Sequence, residues 1–313
     1  MTKFTRVKKT WSLCDPAVCN LTSVHFVVSF REVFIIGIIF RRLESNDFDF
    51  AIALTEKEKW YLTAYDLELY VTGDHGTGLI AVVDGVPVGL ATAAIYDRSA
   101  WIGNVIIDHS SRNKGLGRML VEAHMQKLSA SGINSFLLYA YDRSKSLYER
   151  IGFNFDAVLW EVAIRGMHAS DSTEVMHGYD AAIEQVDSRY FPCSRGHVLR
   201  RSSKRNHSDV ITHRDEDGNV DGYLFTSYVD TEYGSEVAPF VCRRSDVAAM
   251  ISAATDGVGI IHLYVPEQNI DAIEHIGASF QRVRRIHRGY LGSSSCLPYL
   301  GPEILSAGFL ESG

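Results

Sequence analysis

The sequence predicts an α/β (α+β) protein built from two related lobes. Its 313 residues exceed the size of one small domain and fit two domains of ordinary size. Strand-like and helix-like segments alternate through the first half of the chain, and the second half contains a weaker copy of the same order. Because a repeated order of segments indicates a repeated structural unit, we expect two lobes of mixed strands and helices.

The composition is that of a folded protein of ordinary type. Hydrophobic residues make up 46% and charged residues 22% of the chain, close to the average for globular proteins. The formal charge of −7 argues against general nucleic-acid binding, which needs a basic face. The cysteines are scattered and odd in number, which indicates reduced thiols in an intracellular, cytoplasmic protein. They are Cys14, Cys19, Cys193, Cys242 and Cys296.

The first 36 residues are predicted to be a poorly ordered extension. The apolar segment from Val33 to Phe40 has eight residues, too few to span a bilayer, and we expect no membrane partner. Basic residues near the N-terminus are followed by Cys14, Asp15 and Pro16 where the apolar core of a signal peptide should begin, so a secretory signal is not expected.

The first lobe is predicted to contain a hairpin and a helix joined by a central strand. Two β-rich segments flank Asp84-Gly85, a strong signal for a two-residue hairpin turn. Apolar residues recur at helical spacing after residue 115, and Gly132 provides a stop. The predicted elements are a strand over 36–42, helices over 47–54 and 64–70, the hairpin over 79–96, a strand over 101–108, a helix over 116–130, a strand over 136–140, a helix over 144–150 and a strand over 157–164.

The second half repeats the first with one deletion. Asp84-Gly85 and Gly89 are matched by Asp217-Gly218 and Gly222 at the same spacing. The further matched segments are 104–107 with 237–240, 136–141 with 260–265, and 148–152 with 273–277. The missing residues fall where the first half has a glycine-containing turn, and Ile273 stands where the first half has Tyr148. The sequence therefore predicts a second lobe that lacks the glycine-containing turn of the first.

The glycine turn between the central strand and the long helix is the main candidate for an anion site. It reads Arg112-Asn113-Lys114-Gly115-Leu116-Gly117-Arg118. Glycines there let backbone N–H groups converge on an anion, and the helix N-terminus adds partial positive charge. A third glycine for a dinucleotide fold is missing at Leu120, and no Gly-Lys-Ser/Thr follows for a Walker motif. A purely structural strand-to-helix turn remains the alternative.

In its wider context the segment from Asp84 to Phe153 resembles the GNAT superfamily of N-acetyltransferases. The resemblance is carried by Arg112-x-x-Gly115-x-Gly117 followed by Tyr148-x-x-x-Gly152-Phe153, and it extends over about residues 37–165. The segment 54–67 looks like the acceptor-side region of one branch, in which a second, degenerate lobe is common. One departure is Tyr141, where many members have an asparagine.

The resemblance implies a domain organisation and a fold. It implies an extension over residues 1–36, an acetyltransferase domain over 37–165, a linker over 166–174 and a degenerate GNAT-like domain over 175–313. Each lobe would be a mixed, mostly antiparallel sheet flanked by helices. The second lobe is expected to cover the site or to bind the acceptor.

The resemblance also implies the co-substrate, acetyl-CoA, and the residues that bind it. Backbone groups of the central strand would pair with the pantetheine arm, the glycine turn would hold the pyrophosphate, and Tyr148 would donate a proton to the departing thiolate. The implied binding residues are Val105, Ile106, Ile107, Arg112, Asn113, Lys114, Gly115, Leu116, Gly117 and Arg118. A structural role for Tyr148, as an aromatic that packs a short helix, is the alternative.

The general base and the acceptor are left open by the sequence. An amine with an ordinary pKa must lose a proton before it attacks, and Asp108 and Glu56 are the candidates for the base, with Glu58 and His109 as further possibilities. The acceptor is predicted to be a small-molecule amine or a protein amine. No cysteine and histidine spacing suggests a metal site. A non-catalytic acyl-CoA-binding or sensor module is the alternative to an enzyme.

Two basic segments of the second half could serve an anionic acceptor. They lie over residues 200–205 and 282–285. Alternating strand exposure explains the second segment equally well.

Overall fold

A computed structural model describes residues 22–24, 37–72, 75–167, 175–254 and 259–308 of the chain. Apart from Thr22–Val24, the predicted N-terminal extension lies outside the described residues, as do Cys14 and Cys19 and most of the predicted linker. Within the described ranges, Cys193, Cys242 and Cys296 are free thiols. None of the helices in these ranges is both long enough and apolar enough to cross a membrane.

The first half has the predicted order of elements. The Asp84-Gly85 turn adopts positive φ at both residues (51° and 81°), which matches the twist of a two-residue hairpin, and Gly152 ends a helix in the left-handed region (φ 113°). The elements are β1 (Thr22–Val24), β2 (Ile38–Arg42), α1 (Phe48–Glu56), α2 (Ala64–Thr72), β3 (Gly76–Val83), β4 (Val86–Tyr96), β5 (Ser99–Ile107), α3 (Leu116–Ala130), β6 (Ser135–Tyr141), α4 (Asp142–Ile151) and β7 (Asn154–Met167).

The second half repeats this order in a reduced form. A short 3-10 helix over Glu267–Ala272 lies near the position that matches α4, and the hairpin turn is longer than in the first half. The elements are β8 (Val175–His177), α5 (Ala182–Asp187), α6 (Gly196–Ser202), β9 (Ser208–Arg214), β10 (Val220–Asp230), β11 (Gly234–Val241), α7 (Val247–Ala254), β12 (Ile260–Pro266), β13 (Gly277–Leu291) and β14 (Ile304–Ser306).

The strands of the described residues form one continuous sheet, and the two halves exchange strands at its centre. The order is β1-β2-β3-β4-β5-β6-β13-β7-β12-β11-β10-β9-β8, with β14 beside β11. Among these pairs β5 with β6 and β11 with β12 are parallel, and the rest are antiparallel. β13 of the second half lies between β6 and β7 of the first, where Ile286 pairs with Tyr141 on one side and with Leu159 on the other. The predicted mixed, mostly antiparallel fold is confirmed, but the sheet does not divide at residue 165.

Helices cover both faces of the first half's strands. Leu116 and Leu120 of α3 pack on one face against Ala81 and Ile107, because the apolar residues of α3 recur at helical spacing. Leu54 of α1 and the helix α2 pack on the other face. α1 and α2 therefore lie on the side of the sheet opposite α3, and the segment that connects them reaches the end of β5.

Candidate active site

A split between two parallel strands forms the floor of the site. β5 and β6 pair over Ser99–Ile102 and Ser135–Leu138, and then diverge. A bulge in the pairing with β4 turns β5 at Asn104, whose φ of 50° is left-handed and whose buried side-chain amide donates to Thr92 Oγ1 over 2.9 Å. Within the described part of the chain no strand pairs with residues 105–107 on the side of β6. These residues therefore present backbone N–H and C=O groups to an opening.

The glycine turn closes one end of this split. Asn113 and Gly115 both adopt left-handed φ (63° and 79°), and Gly115 is the residue before the first turn of α3. A Cβ at Gly115 would meet open space, and one at Gly117 would lie at ordinary contact distance, 3.5 Å from Leu147 Cδ1. The first N–H groups of a helix have no partner within the helix, so the start of α3 can receive an anion.

The charged side chains of the turn have partners in the structure. Arg112 Nε donates to the Ile107 carbonyl over 2.8 Å, and its Nη2 donates to Glu58 over 2.5 Å. Arg118 forms an ion pair with Glu122 over 2.8 Å. Lys114 Nζ donates to the Ser110 carbonyl over 3.3 Å. The backbone amides of the turn are therefore more directly available to a phosphate than these cations are.

A cleft of about 680 Å³ extends from the glycine turn along the split and into the second half. Nearly all of the residues predicted to bind the co-substrate line this cleft, and Lys114 is the exception. The lining members of that set are Val105, Ile106, Ile107, Arg112, Asn113, Gly115, Leu116, Gly117 and Arg118.

Tyr148 also lines the cleft. It lies on α4 with 6% of its surface exposed, and its ring packs edge-on against Phe153 with centroids 5.8 Å apart. Burial raises the pKa of the phenol well above its ordinary value. The side chain is therefore protonated at neutral pH and keeps a proton to donate.

The predicted base candidates Asp108 and Glu56 do not line the cleft. Asp108 accepts a hydrogen bond from Lys57 Nζ over 2.8 Å and also caps the turn at Ser110. The hydrogen bonds from Lys57 and Ser110 hold the pKa of this carboxyl far below its usual range, so Asp108 is a poor proton acceptor. Glu56 is exposed at the end of α1, and His109 is exposed in the turn after β5.

Glu58 does line the cleft, but two guanidinium groups bind it. Arg112 and Arg143 donate to its two carboxylate oxygens over 2.5 and 2.7 Å. Although burial alone would raise the pKa of Glu58, these hydrogen bonds lower it. Through these two ion pairs, Glu58 links the segment between α1 and α2 to the glycine turn and to α4.

The far end of the cleft is built by the second half, which the sequence had indicated only as a possible acceptor-binding lobe. Its side chains come from four strands (β10, β11, β12 and β13) and two loops, and they meet Tyr139 and Tyr141 at the end of β6. The lining residues of the second half are Arg205, Val229, Tyr233, Glu236, Tyr264, Arg284 and Ile286. Of these, Arg205 and Arg284 lie in the two basic segments of the sequence, whereas no sequence signal pointed to Tyr233, Glu236 or Tyr264.

Tyr141, the departure from the family pattern, lies at this junction. The guanidinium of Arg284 stacks over its ring, 4.7 Å from the centroid. The ring also packs in a cluster with Ala238 and Tyr264 of the second half. Tyr141 therefore belongs to the contact between the two halves.

In the second half the matching split is filled by the chain itself. β14 inserts where β11 and β12 diverge: Ser306 pairs with Phe240, and Ile304 pairs with Val241. On the other side, Tyr264 N–H donates to Ser306 Oγ over 2.9 Å, and Ala307 N–H donates to the Tyr264 carbonyl over 2.9 Å. The backbone edge that is open in the first half is thus paired in the second.

One cluster in the described residues has metal-ligand character. His213, Asp221 and Asp246 offer ligand atoms within 4.8 Å of one another. Arg243 pairs with both carboxylates, at 3.3 Å from Asp221 and 2.9 Å from Asp246. Because Arg243 already forms ion pairs with both carboxylates, we assign no metal to the cluster.

Comparison with known proteins relates both halves to one family. The model of the acetyltransferase (GNAT) family matches residues 40–153, and the model of an acetyltransferase (GNAT) domain matches residues 183–297. A curated relative is the chloroplastic serotonin N-acetyltransferase 2 of rice (Oryza sativa subsp. japonica), 34% identical over 86 residues. That match covers 26% of this chain and 40% of the length of the rice protein.

Solved structures of similar fold extend over both halves. A putative acetyltransferase from Pyrococcus horikoshii superimposes with a TM-score of 0.75 at 17% identity, over 91% of this chain and 99% of that one. A tandem GNAT protein from the clavulanic acid biosynthesis pathway superimposes with a TM-score of 0.60 at 13% identity, over 82% and 98% of the two chains. At these identities the likeness concerns the fold. Taken with the two family matches, it shows that this chain belongs to the GNAT superfamily and carries two GNAT domains in tandem.

Proposed function

We propose that the protein transfers an acetyl group from acetyl-CoA to an amine, using one site in the first half. The observation that carries this proposal is the split between β5 and β6, which opens on the glycine turn at one end and passes Tyr148. An extended amide-containing arm that ends in a pyrophosphate has the chemistry to fill it. The edge at 105–107, which no described strand pairs with on the side of β6, can offer backbone groups to the amides, and the turn can receive the phosphates.

The residues present fit acetyl-CoA as a co-substrate. Val105, Ile106 and Ile107 would bind the pantetheine arm through the backbone. The amides from Asn113 to Arg118 would hold the pyrophosphate, in space that Gly115 leaves open. Arg112, Lys114 and Arg118 would add positive charge near the phosphates while they keep the partners that they have within the chain.

Tyr148 is proposed as the proton donor. The amine nitrogen attacks the thioester carbonyl carbon, so a C–N bond forms, the C–S bond breaks, and the sulfur leaves with the electron pair. The phenol gives its proton to that sulfur, and the amine gives up one proton to an acceptor. Burial keeps the phenol of Tyr148 protonated at neutral pH, so its proton is present when the C–S bond breaks.

Neither Asp108 nor Glu56 is supported as the base by the geometry. Asp108 forms an ion pair with Lys57, and Glu56 is not among the residues that line the cleft. We propose instead that the proton of the amine leaves at the acceptor end, where the second half contributes side chains.

The test is thiol release from acetyl-CoA by the full-length chain with a panel of amines, alongside calorimetry of acetyl-CoA binding. Binding together with amine-dependent thiol release is expected. Binding without release for every amine would favour an acyl-CoA-binding or sensor module. Absence of binding would contradict both functions.

The cellular location is proposed from the thiols. Cys193, Cys242 and Cys296 are free in the structure, which supports an intracellular, cytoplasmic protein.

A further inference from the structure

The end of the cleft that lies away from the glycine turn is an aromatic chamber with one carboxylate from the second half. We call it the acceptor chamber, and it comprises Trp60, Tyr61, Tyr141, Tyr233, Glu236 and Tyr264. Trp60 and Tyr61 belong to the connection between α1 and α2, and Tyr141 ends β6. The three other residues belong to the second half, so neither half forms the chamber alone.

The aromatic walls are held by contacts between the halves. The Tyr61 and Tyr233 rings lie 6.1 Å apart at a tilt of 50°. Tyr233 stacks on His262, with centroids 3.8 Å apart and planes 11° from parallel. His262 Nδ1 lies 3.2 Å from the carboxylate of Glu161, which is 1% exposed. These contacts fix the positions of the rings around the opening.

Strand register explains why Glu236 faces this chamber. Glu236 pairs with His262 of β12 and with Ser227 of β10, so its backbone is fixed inside the sheet. Side chains alternate along a strand, and Val237 belongs to the core that contains α7. Ala238, two residues after Glu236, packs with Tyr264 on the opposite face. Glu236 therefore shares the face of the tyrosines and lines the cleft.

The electrostatics agree with this placement. Burial is the main reason why the pKa values of Tyr233 and Tyr264 are raised, and the charge of Glu236 raises them further. The same charge also contributes at Tyr141. The carboxylate therefore acts on two phenols from different strands, Tyr141 of β6 and Tyr264 of β12, and on Tyr233 in the turn between β10 and β11, and all four residues line the same cleft.

Three arginines reach this end, and each already has a carboxylate partner. Arg143, whose guanidinium lies 5.8 Å from the centroid of the Tyr141 ring, pairs with Glu58 over 2.7 Å. Arg284 Nε donates to Glu161, and Arg205 Nη2 lies 3.0 Å from Asp66. Each guanidinium is therefore matched by an anion before any ligand binds. This disfavours an acceptor that carries a carboxylate or a phosphate, which would compete with those partners.

From this geometry we propose that Glu236 binds the ammonium group of the acceptor, and that the acceptor is a primary amine with a flat, apolar or aromatic body and no carboxylate. The inference rests on the proposed acetyl transfer, since it names the class of amine that the same site accepts. A cation near aromatic faces and a carboxylate is stabilised by both, and the apolar body would be buried against the rings.

The experiment is calorimetry of three amines on the full-length chain, with and without saturating coenzyme A. Phenethylamine has the ammonium and the ring, phenylalanine adds a carboxylate, and ethanolamine lacks the ring. We expect phenethylamine to bind at least about tenfold more tightly than the other two, and Glu236→Gln to weaken it by about tenfold or more. Glu232→Gln is the matched control, because Glu232 has 87% of its side chain exposed and pairs with Lys59 over 3.6 Å.

Three results would overturn the inference. The first is phenethylamine affinity that Glu236→Gln leaves unchanged in a variant with the wild-type melting temperature. The second is phenylalanine binding as tightly as phenethylamine, and the third is no phenethylamine binding in the millimolar range. Acetyl-CoA affinity, measured on the same variants, should not change. Since amine binding is read without turnover, absence of thiol release would count against the proposed transfer and not against this assignment.

Discussion

Ser306 of β14 pairs with Phe240 of β11 at the position that matches the open edge of Ile107 in the first half. The second half thus uses its own backbone to fill the split that the first half leaves open. We therefore predict one acetyl-CoA per chain. Calorimetry of the full-length protein should give a stoichiometry near one, and a stoichiometry near two would show that β14 does not close the second split.

Gly117→Glu should abolish acetyl-CoA binding and leave the fold intact. A Cβ at this position meets only ordinary contacts, so the backbone tolerates it, but the carboxylate would occupy the start of α3 where the pyrophosphate is expected. Calorimetry and a melting curve give the two readouts. Gln126→Glu is the control, because it adds the same charge to an exposed position of the same helix. Wild-type affinity in folded Gly117→Glu would place the phosphate site elsewhere.

Tyr148→Phe should lower kcat and kcat/KM together by about 10²–10⁴-fold, the usual effect of losing a general acid. The ring and its contact with Phe153 are kept, so acetyl-CoA affinity should change little. Steady-state kinetics with any active amine provide the measurement, and a single-turnover experiment shows whether chemistry limits the rate. Tyr299→Phe, at a tyrosine that is 64% exposed, should have no effect. An unchanged single-turnover rate in Tyr148→Phe would remove this residue from the mechanism.

His124 should make the protein less stable in acid. It lies fully buried on α3, and neither ring nitrogen has a hydrogen-bond partner among the described residues. Burial lowers its pKa from 6.5 to about 3. In the unfolded chain the ring is protonated below its ordinary pKa, whereas in the folded chain it stays neutral until about pH 3. Folding is therefore opposed progressively as the pH falls from 6.5 towards 3, by about 2 kcal/mol between pH 7 and pH 5.

The measurement is the free energy of unfolding in urea at pH 7 and pH 5 for the wild type and for His124→Leu. The decrease between the two pH values should be about 2 kcal/mol smaller in the variant, since the other titrating groups cancel in the comparison. Equal pH dependence in His124→Leu and the wild type would show that this ring is solvated.

Residues 37–165 expressed alone should fold poorly. In the full chain β13 pairs with both β6 and β7, and β12 pairs with the other edge of β7. The fragment would lose all three pairings and expose one edge of β6 and both edges of β7, which favours aggregation. Size-exclusion chromatography and circular dichroism test this expectation. A monomeric fragment that binds acetyl-CoA as the full chain does would show that the first half closes its own sheet.

Local patterns in the sequence were sufficient for the elements and for the co-substrate end of the site. The Asp84-Gly85 turn, the helical spacing after Gly115 and the stop at Gly152 each depend on the backbone preferences of a few neighbouring residues, and the structure confirms all three elements. The family resemblance is confirmed by the matches to both halves. The residues of the glycine turn and Tyr148 line one cleft because the consecutive elements α3, β6 and α4 bring the two segments together, and their roles remain predictions.

Only the tertiary structure decided which parts of the two halves meet. The exchange of β13 and β7, the filling of the second split by β14 and the approach of Glu236 to Tyr141 all join residues that are far apart in the chain. Pairing partners in a sheet are chosen by backbone hydrogen bonds and by shared burial, which every β-rich segment offers alike, so no local pattern distinguishes them. The acceptor end of the cleft therefore follows from the packing of the two halves. The co-substrate end could be predicted because its residues lie in two short segments of the first half, 105–118 and the helix that carries Tyr148.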